Sequence, residues 1–172
     1  MTIDEYRQLR TYSWYDGIYL AILWTAGFAC LIGMPKLPLL SMTSNLITLS
    51  TPFFVGYHLK KYRDQGLGGY IDLKTAAVYC IRVFINASIL FALVQWAYMQ
   101  FLDNGYLFNT IISTISTEEG KTVIEAYGLS EREIKDAFSA ITPTQFALTY
   151  FVLNTFIGLL LSLILSFIFK KT

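Results

Sequence analysis

The sequence predicts an all-α, polytopic membrane protein with four transmembrane helices, and three observations lead to this fold class. Of its 172 residues, 55% are hydrophobic and only 15% are charged, whereas soluble domains carry about 25% charged residues. The apolar residues form four blocks, at about 18–34, 37–57, 76–102 and 143–169. Each block is long enough to cross a hydrocarbon layer of about 30 Å as a helix. Lys and Arg collect mainly on one side of these blocks, which is typical of membrane proteins.

We expect the chain, residues 1–172, to form a single membrane domain. The predicted spans cover about 16–34, 37–57, 75–102 and 143–169. The intervening residues between the third and fourth spans, at 103–142, contain seven acidic and three basic residues. They also contain two short amphipathic segments, the second of which begins with a Ser-x-x-Glu capping box. This pattern predicts a small extracytoplasmic helical hairpin between helices 3 and 4.

Residues 1–15 precede the first predicted span and are rich in Tyr, with one Trp. These ring types settle at the level of lipid headgroups, so we predict an interfacial amphipathic helix here. Asp16 follows at the membrane boundary. Capping or pairing at the start of the first span is one interpretation of this residue, and proton handling is the other.

The turn between the first two spans contains Pro35 and Pro38. Each proline fixes φ and disfavours helix in the residue before it, so the two helices should form an antiparallel hairpin. The second span is the least apolar of the four, because a polar seam follows one side of it at helical spacing. The seam contains Ser41, Asn45, Thr48 and Pro52. It either packs against a neighbouring helix or lines a groove that is open to substrate or to lipid headgroups.

Arg82 carries the clearest functional signal, because an ionisable side chain within a span marks a functional site by default. It lies about two turns into the third span, and Asn86 follows one turn later on the same face. Arg82 is either a structural anchor that extends to the interface or part of a site for an anion or a lipid phosphate. The preceding loop holds Lys60, Lys61 and Arg63. These neighbours make a pocket for an anionic lipid headgroup physically reasonable.

The fourth span carries a stripe of small and polar residues at intervals of four. The stripe contains Asn154, Gly158, Ser162 and Ser166. Small side chains let two helices approach closely. The stripe therefore predicts helix packing, either within one chain or across an interface with a second copy.

The orientation follows from the distribution of positive charge. With both termini in the cytoplasm, eight Lys and Arg residues lie on the cytoplasmic side and four on the other, leaving Arg82 aside. The positive-inside rule therefore places both termini and the 58–74 loop in the cytoplasm.

Several classes of function lack their usual residues in this sequence. There is one His, so no cluster of His is available for a metal ion. No carboxylate lies deep in spans two to four, where carriers driven by protons or sodium hold their coupling residue. No pair of carboxylates suits acid–base catalysis, and the basic residues form no face for nucleic acid. We predict no catalytic residues, no metal site and no cofactor.

Two runs of the sequence, together with the acidic outer loop, resemble a known family. The first run, Tyr-Arg-Asp-Gln-Gly-Leu-Gly-Gly-Tyr-Ile-Asp-Leu-Lys-Thr-Ala at 62–76, leads into the third span, and the second closes the chain at 158–171. They are similar to the domain of unknown function 4199 family. The resemblance implies a small four-span protein of the inner membrane of Bacteroidota. Asp72 stands where we expect Ser in that family, and both residues can cap a helix.

The resemblance also implies a partner, because genes of such proteins often neighbour a glycosyltransferase that resembles polyprenyl-phosphate sugar synthases. We therefore expect a non-catalytic integral membrane subunit that scaffolds, or presents lipid to, an enzyme at the cytoplasmic face. The expected partners are membrane lipids, such a glycosyltransferase and a second copy of the chain. The alternative is a small oligomeric translocator of lipid or of an anionic solute, which the polar seam favours. A membrane enzyme is a third interpretation.

Overall fold

The computed structural model describes residues 3–37, 39–128 and 130–171. In these ranges the chain is helical, with a π-helical turn at Tyr62–Gly66 and a single β-type bridge between Ile71 and Lys171. The α-helices are α1 (Ile3–Gly33), α2 (Leu39–Lys61), α3 (Leu73–Phe101), α4 (Tyr106–Ile115), α5 (Glu118–Ala126), α6 (Glu131–Ala140) and α7 (Pro143–Phe169). The all-α class is therefore confirmed.

Among the described helices, α1, α3 and α7 are long and apolar enough to cross a membrane, with 31, 29 and 27 residues. Their length and composition indicate a membrane protein. α2 has 23 residues, which at about 1.5 Å per residue would also reach across a bilayer. It is less apolar, because seven of its residues are Ser, Thr or Asn. The predicted second span is therefore not confirmed.

α1 and α2 pack as an antiparallel pair, as the proline-containing turn predicts. Near the turn, a Cβ atom on Gly27 would lie 3.1 Å from the side chain of Ile47, so the two backbones approach closely there. Further along, the indole Nε1 of Trp24 donates a hydrogen bond of 3.0 Å to Thr51 Oγ1. Pro38, the second proline of the turn, lies outside the described residues.

The helices belong to two compact units. The first unit takes in the described residues up to Leu93 and from Thr149 onward, and the second takes in Val94–Leu148. The chain passes between the units within α3 and α7. The core of the first unit is built from apolar side chains of all four of its long helices, among them Leu20, Val55, Val83 and Leu165.

α7 packs on α3 in the first unit through its small residues. A Cβ atom on Gly158 would lie 2.6 Å from Phe84 Cβ, so only glycine allows this approach. Ser162 and Ser166 are fully buried, and each donates its hydroxyl to a carbonyl one turn earlier in α7. Asn154 of the same stripe is half-buried. The opposite side of α7 is apolar and exposed, as a lipid-facing surface would be.

The second unit contains three short helices where the sequence predicts two. Thr117 and Ser130 are the N-caps of α5 and α6, and the predicted capping box of Ser130 and Glu133 is formed. α4 is the helix that the sequence does not predict. At its start, the Asp103 carboxylate accepts a hydrogen bond of 2.9 Å from the Leu107 amide. Its sequence continues the apolar run of α3, so composition alone does not separate the two. With three helices at 103–142, the predicted hairpin is not confirmed.

Candidate functional site

One end of the first unit gathers most of its basic residues, because long-range contacts join the start of α1, the end of α2, the start of α3 and the end of α7. Gln8 of α1 donates a hydrogen bond of 3.1 Å to the Gly66 carbonyl. Ile71 and Lys171 exchange backbone hydrogen bonds of 2.9 and 3.0 Å. These contacts fix the helix ends against one another and determine which charged side chains become neighbours.

A cavity of about 700 Å³ opens between α1 and α3 at this end, and we name it the arginine cavity. Its lining residues are Arg7, Arg10, Thr11, Trp14, Tyr15, Arg82 and Asn86. The residues from α1 recur every three or four positions and therefore share one helix face. Arg82 and Asn86 lie one turn apart on α3 and face them. The structure therefore joins the predicted pair Arg82 and Asn86 to two arginines near the start of the chain.

Arg82 is anchored by one part of its guanidinium group and unsatisfied at another. Its Nη1 donates a hydrogen bond of 3.1 Å to the Tyr6 hydroxyl, and its Cζ lies 5.6 Å from the centre of the Tyr6 ring. Its Nε is buried and has no hydrogen-bond partner among the described residues. Asn86 donates to the Ser13 carbonyl at 3.3 Å, which ties α3 to α1 beside the cavity.

The charge of the arginine cavity is uncompensated within the described structure. Arg7, Arg10 and Arg82 form no ion pair with any described carboxylate. Guanidinium groups are planar, remain charged and present several N–H donors that match the oxygens of phosphate. Three of them around one cavity are therefore suited to bind an anion.

The other basic residues predicted for this site lie elsewhere. Arg63 bonds to Asp64 at 2.7 Å and donates to the Phe169 carbonyl at 3.2 Å, so it holds the end of α7 in place. The hydrogen bond from Arg63 also lowers the pKa of Asp64 below its usual range. Lys60 is exposed and does not line the arginine cavity, and Lys61 lines a different cavity.

That second cavity, of about 200 Å³, lies between α1 and α2, and we name it the histidine cavity. Its lining residues are Thr11, Tyr12, Tyr15, Asp16, Tyr19, His58 and Lys61. Asp16 Oδ1 lies 2.6 Å from His58 Nδ1, and the Tyr79 hydroxyl donates to the other oxygen, Asp16 Oδ2. The side chains of Asp16 and His58 are only 10% and 13% exposed. Three helices thus contribute to one buried polar cluster at this end.

Pairing is one of the roles that the sequence predicts for Asp16, but that prediction identifies no partner. The position of the turn between α1 and α2 could have identified this partner. In an antiparallel pair whose turn is centred near residue 36, Asp16 lies opposite the last turns of α2, where His58 occurs. The contact with Tyr79 has no comparable signal, because it depends on how α3 packs against the pair.

The polar seam of α2 lies mostly at the surface of its unit. Asn45 and Thr48 are exposed, while Ser41 and Pro52 are half-buried. Thr48 satisfies its hydroxyl by donating to the Ser44 carbonyl at 3.1 Å. The described part of the unit therefore does not cover the centre of the seam.

A third cavity, of about 390 Å³, is lined in part by Glu5, Tyr62, Asp72 and Lys171. The Tyr62 hydroxyl is buried and has no hydrogen-bond partner in the described chain. Burial, together with the nearby Glu5 carboxylate, raises its pKa to about 12, so it stays protonated at neutral pH. The cavity mixes both signs of charge and therefore favours no single class of ligand.

Comparison with known protein families gives a match over most of the chain. The family described as protein of unknown function (DUF4199) matches residues 15–171, so the chain belongs to this family. The match takes in Arg82, Asn86, His58 and Asp16 but begins after Arg7 and Arg10. No curated protein and no solved structure matches the chain.

Proposed function

We propose that this DUF4199 protein binds the phosphate of an anionic lipid in the arginine cavity and presents that lipid to an enzyme at the cytoplasmic face of the bacterial inner membrane. The observation that carries the proposal is the convergence of Arg7, Arg10 and Arg82 on one cavity without a described carboxylate partner. A lipid phosphate is the anion available at high local concentration at this depth. Arginines at a membrane interface attract anionic headgroups with about 1 kcal/mol per charge.

The setting of the cavity supports a lipid rather than a soluble anion. Trp14 is 48% exposed and lines the cavity, and aromatic rings of this kind settle at the level of headgroups. The positive-inside rule supports an orientation in which this basic end faces the cytoplasm. In this orientation α2 forms the second of four spans, and the acidic segment at 103–142 is extracytoplasmic.

A non-catalytic role is part of the proposal. We expect the basic end to dock a soluble catalytic domain, and a polyprenyl-phosphate glycosyltransferase is the candidate that the family resemblance suggests. Affinity purification in mild detergent should then recover one stoichiometric enzyme partner. Recovery of a solitary protein across several mild detergents would argue against the presenting role while leaving lipid binding intact.

The test of lipid binding uses the full chain in phosphatidylcholine nanodiscs that contain a fluorescent phosphatidylglycerol. We expect Arg82→Gln to weaken binding about fivefold, the equivalent of about 1 kcal/mol per charge. Lys74→Gln is the matched control, because Lys74 is exposed on the same helix and lines none of the three cavities. Equal effects of the two variants would mean that the protein attracts lipid only through its net charge.

A translocator is the second candidate, and the exposed seam at Asn45 and Thr48 favours it. Polar side chains on a spanning helix would give a headgroup a path between leaflets, as in a polar groove. Reconstituted protein should then accelerate movement of a labelled anionic lipid across liposomes, and Asn45→Leu should slow it. Movement equal to that in protein-free liposomes would remove this candidate.

A further inference from the structure

The arginine cavity and the histidine cavity adjoin each other along one ridge of α1. Thr11 and Tyr15 line both cavities. Both residues are exposed, and they lie one turn apart. The ridge therefore separates two cavities that a single ligand can reach at once.

The histidine cavity also favours an anion. Lys61 forms no ion pair among the described residues. Asp16 adds a carboxylate to the lining, but His58 and Tyr79 occupy both of its oxygens. His58 uses Nδ1 for this contact, and its Nε2 has no hydrogen-bond partner in the described structure. An ammonium group and an imidazole nitrogen thus remain for a ligand.

We propose that the two cavities together bind one lipid headgroup that carries two phosphate groups. The inference rests on the proposed function, because Arg7, Arg10 and Arg82 bind the first phosphate. The second phosphate lies in the histidine cavity, where it accepts a hydrogen bond from the Lys61 ammonium group and contacts the Nε2 side of the His58 ring. The link between the two phosphates crosses the ridge at Thr11 and Tyr15.

The volumes of the two cavities favour one headgroup with two phosphates over two independent lipids. Sites for whole ligands commonly measure about 300–1,000 Å³. The arginine cavity, at about 700 Å³, falls within that range, whereas the histidine cavity, at about 200 Å³, falls below it. A small cavity that adjoins a larger one is suited to bind the second phosphate of a ligand whose first phosphate is already bound in the larger cavity. Linking the two groups also strengthens binding, because the second contact becomes intramolecular.

Two kinds of lipid share this chemistry, and the experiment separates them. In one, the phosphates are joined directly, as in a prenyl diphosphate; in the other, a glycerol bridges them, as in cardiolipin. Full-length protein in mild detergent is loaded with fluorescent phosphatidylglycerol, and the displacement of this lipid by each unlabelled competitor is measured. Geranylgeranyl diphosphate is compared with geranylgeranyl monophosphate, and cardiolipin with phosphatidylglycerol at equal total phosphate.

We expect the two-phosphate member of at least one pair to compete at least tenfold better per phosphate. Lys61→Gln should reduce that preference about fivefold and leave the one-phosphate lipids unchanged. Lys60→Gln is the matched control, since Lys60 precedes Lys61 on α2, is exposed and lines neither cavity. Lys61 also makes no contact with Asp16 in the hydrogen-bond network, so its replacement leaves the buried cluster in place.

Each other outcome has a separate meaning. Equal competition per phosphate within both pairs, or equal behaviour of Lys61→Gln and Lys60→Gln, overturns the two-phosphate site and leaves the proposed function standing. If phosphatidylglycerol and geranylgeranyl monophosphate both bind no more strongly than zwitterionic phosphatidylcholine, the proposed function itself is overturned. If only one of the two pairs shows a preference for two phosphates, that pair identifies how the phosphates of the bound headgroup are linked.

Discussion

The basic end of the first unit and the acidic segment at 103–142 use charge in opposite ways. At the basic end, polar contacts join residues far apart in the chain, such as Asp16 with His58, which is largely buried, and Arg82 with Tyr6, which is exposed. In the acidic segment, ion pairs join residues three or four positions apart on exposed helix faces. Buried long-range contacts require a defined tertiary structure, whereas local exposed pairs stabilise single helices by only a few tenths of a kcal/mol.

The two regions also differ in the free-energy cost of placing their charged groups, and this cost points to the basic end as the functional region. The acidic segment has the higher density of charged residues, with ten in its 40 positions against fifteen in the other 132, yet most of its charges are solvated or paired along one helix. The basic end has unpaired arginines and a buried cluster from three helices, which are costly arrangements that a purely structural role does not need. Charge density alone therefore points to the wrong region.

The largest expected effect tests the buried cluster. Asp16→Ala removes the partner of both His58 and Tyr79, and loss of one member of a buried pair costs about 3 kcal/mol or more. Unfolding in mild detergent should show this loss, and Asp16→Asn, which keeps an acceptor oxygen, should recover part of it. Asp136→Ala is the control from the acidic segment, since Asp136 and Arg132 are 76% and 92% exposed and 3.9 Å apart. Equal stability of Asp16→Ala and Asp136→Ala would contradict the contrast between the two regions.

A smaller effect is expected from the capping box in the second unit. Ser130→Ala removes the hydroxyl that accepts a hydrogen bond from the Glu133 amide, and such a loss costs about 1 kcal/mol. The change should lower helix content locally, with faster amide hydrogen exchange in α6 and unchanged exchange in α1 and α3. Faster exchange throughout the protein would show that the acidic segment is coupled to the rest of the fold more tightly than its local contacts imply.

The smallest effect is the pH dependence of the same helix. Hydrogen bonds from the Ser130 hydroxyl and amide lower the pKa of Glu133 below its usual value of 4.5. Because the folded pKa lies below the unfolded one, the stabilisation is complete above the unfolded value and is lost as the pH falls through the folded value. We expect no change in helix content between about pH 8 and pH 6 and a partial loss below about pH 4. Glu133→Gln should reduce that acid transition and leave the part that comes from Glu131, whose pKa is lowered by hydrogen bonds from Lys135 and Ser116. An unchanged transition would assign it to another carboxylate.

The sequence predicts the local features of the fold well because they depend on neighbouring residues. The spans at 143–169 and 75–102 follow from apolar length, and the start of α6 follows from the Ser130 capping box. α4 is not predicted because its apolar sequence resembles a continuation of α3. The two helices are separated by a short turn in which Asn104 and Gly105 have positive φ values of 45° and 81°. α2 is ambiguous for the opposite reason, since its polar residues lower the apolar signal of a helix of sufficient length.

The candidate site is predictable only in part. Arg82 and Asn86 are marked by their unusual position within a span, and Lys61 by the basic loop. No sequence feature joins Arg82 to Arg7 and Arg10 rather than to Lys60 and Arg63, because both sets lie on the same side of the predicted spans. The structure settles the grouping, since α1 packs against α3 at this end and Arg63 is engaged with Asp64 and the end of α7.

By itself, the sequence determined that the chain is helical, that it belongs in a membrane, and that Ser130 and Glu133 cap α6. Each of these properties depends on residues that are close together in the sequence. They are the length of an apolar run, the position of a proline and the hydrogen bonds of a single turn. The tertiary structure alone decided that Asp16 meets His58 and Tyr79, and that three arginines share one cavity. Such contacts depend on the register and rotation of helices that are dozens of residues apart, and a shift of one residue would turn each side chain by about 100°.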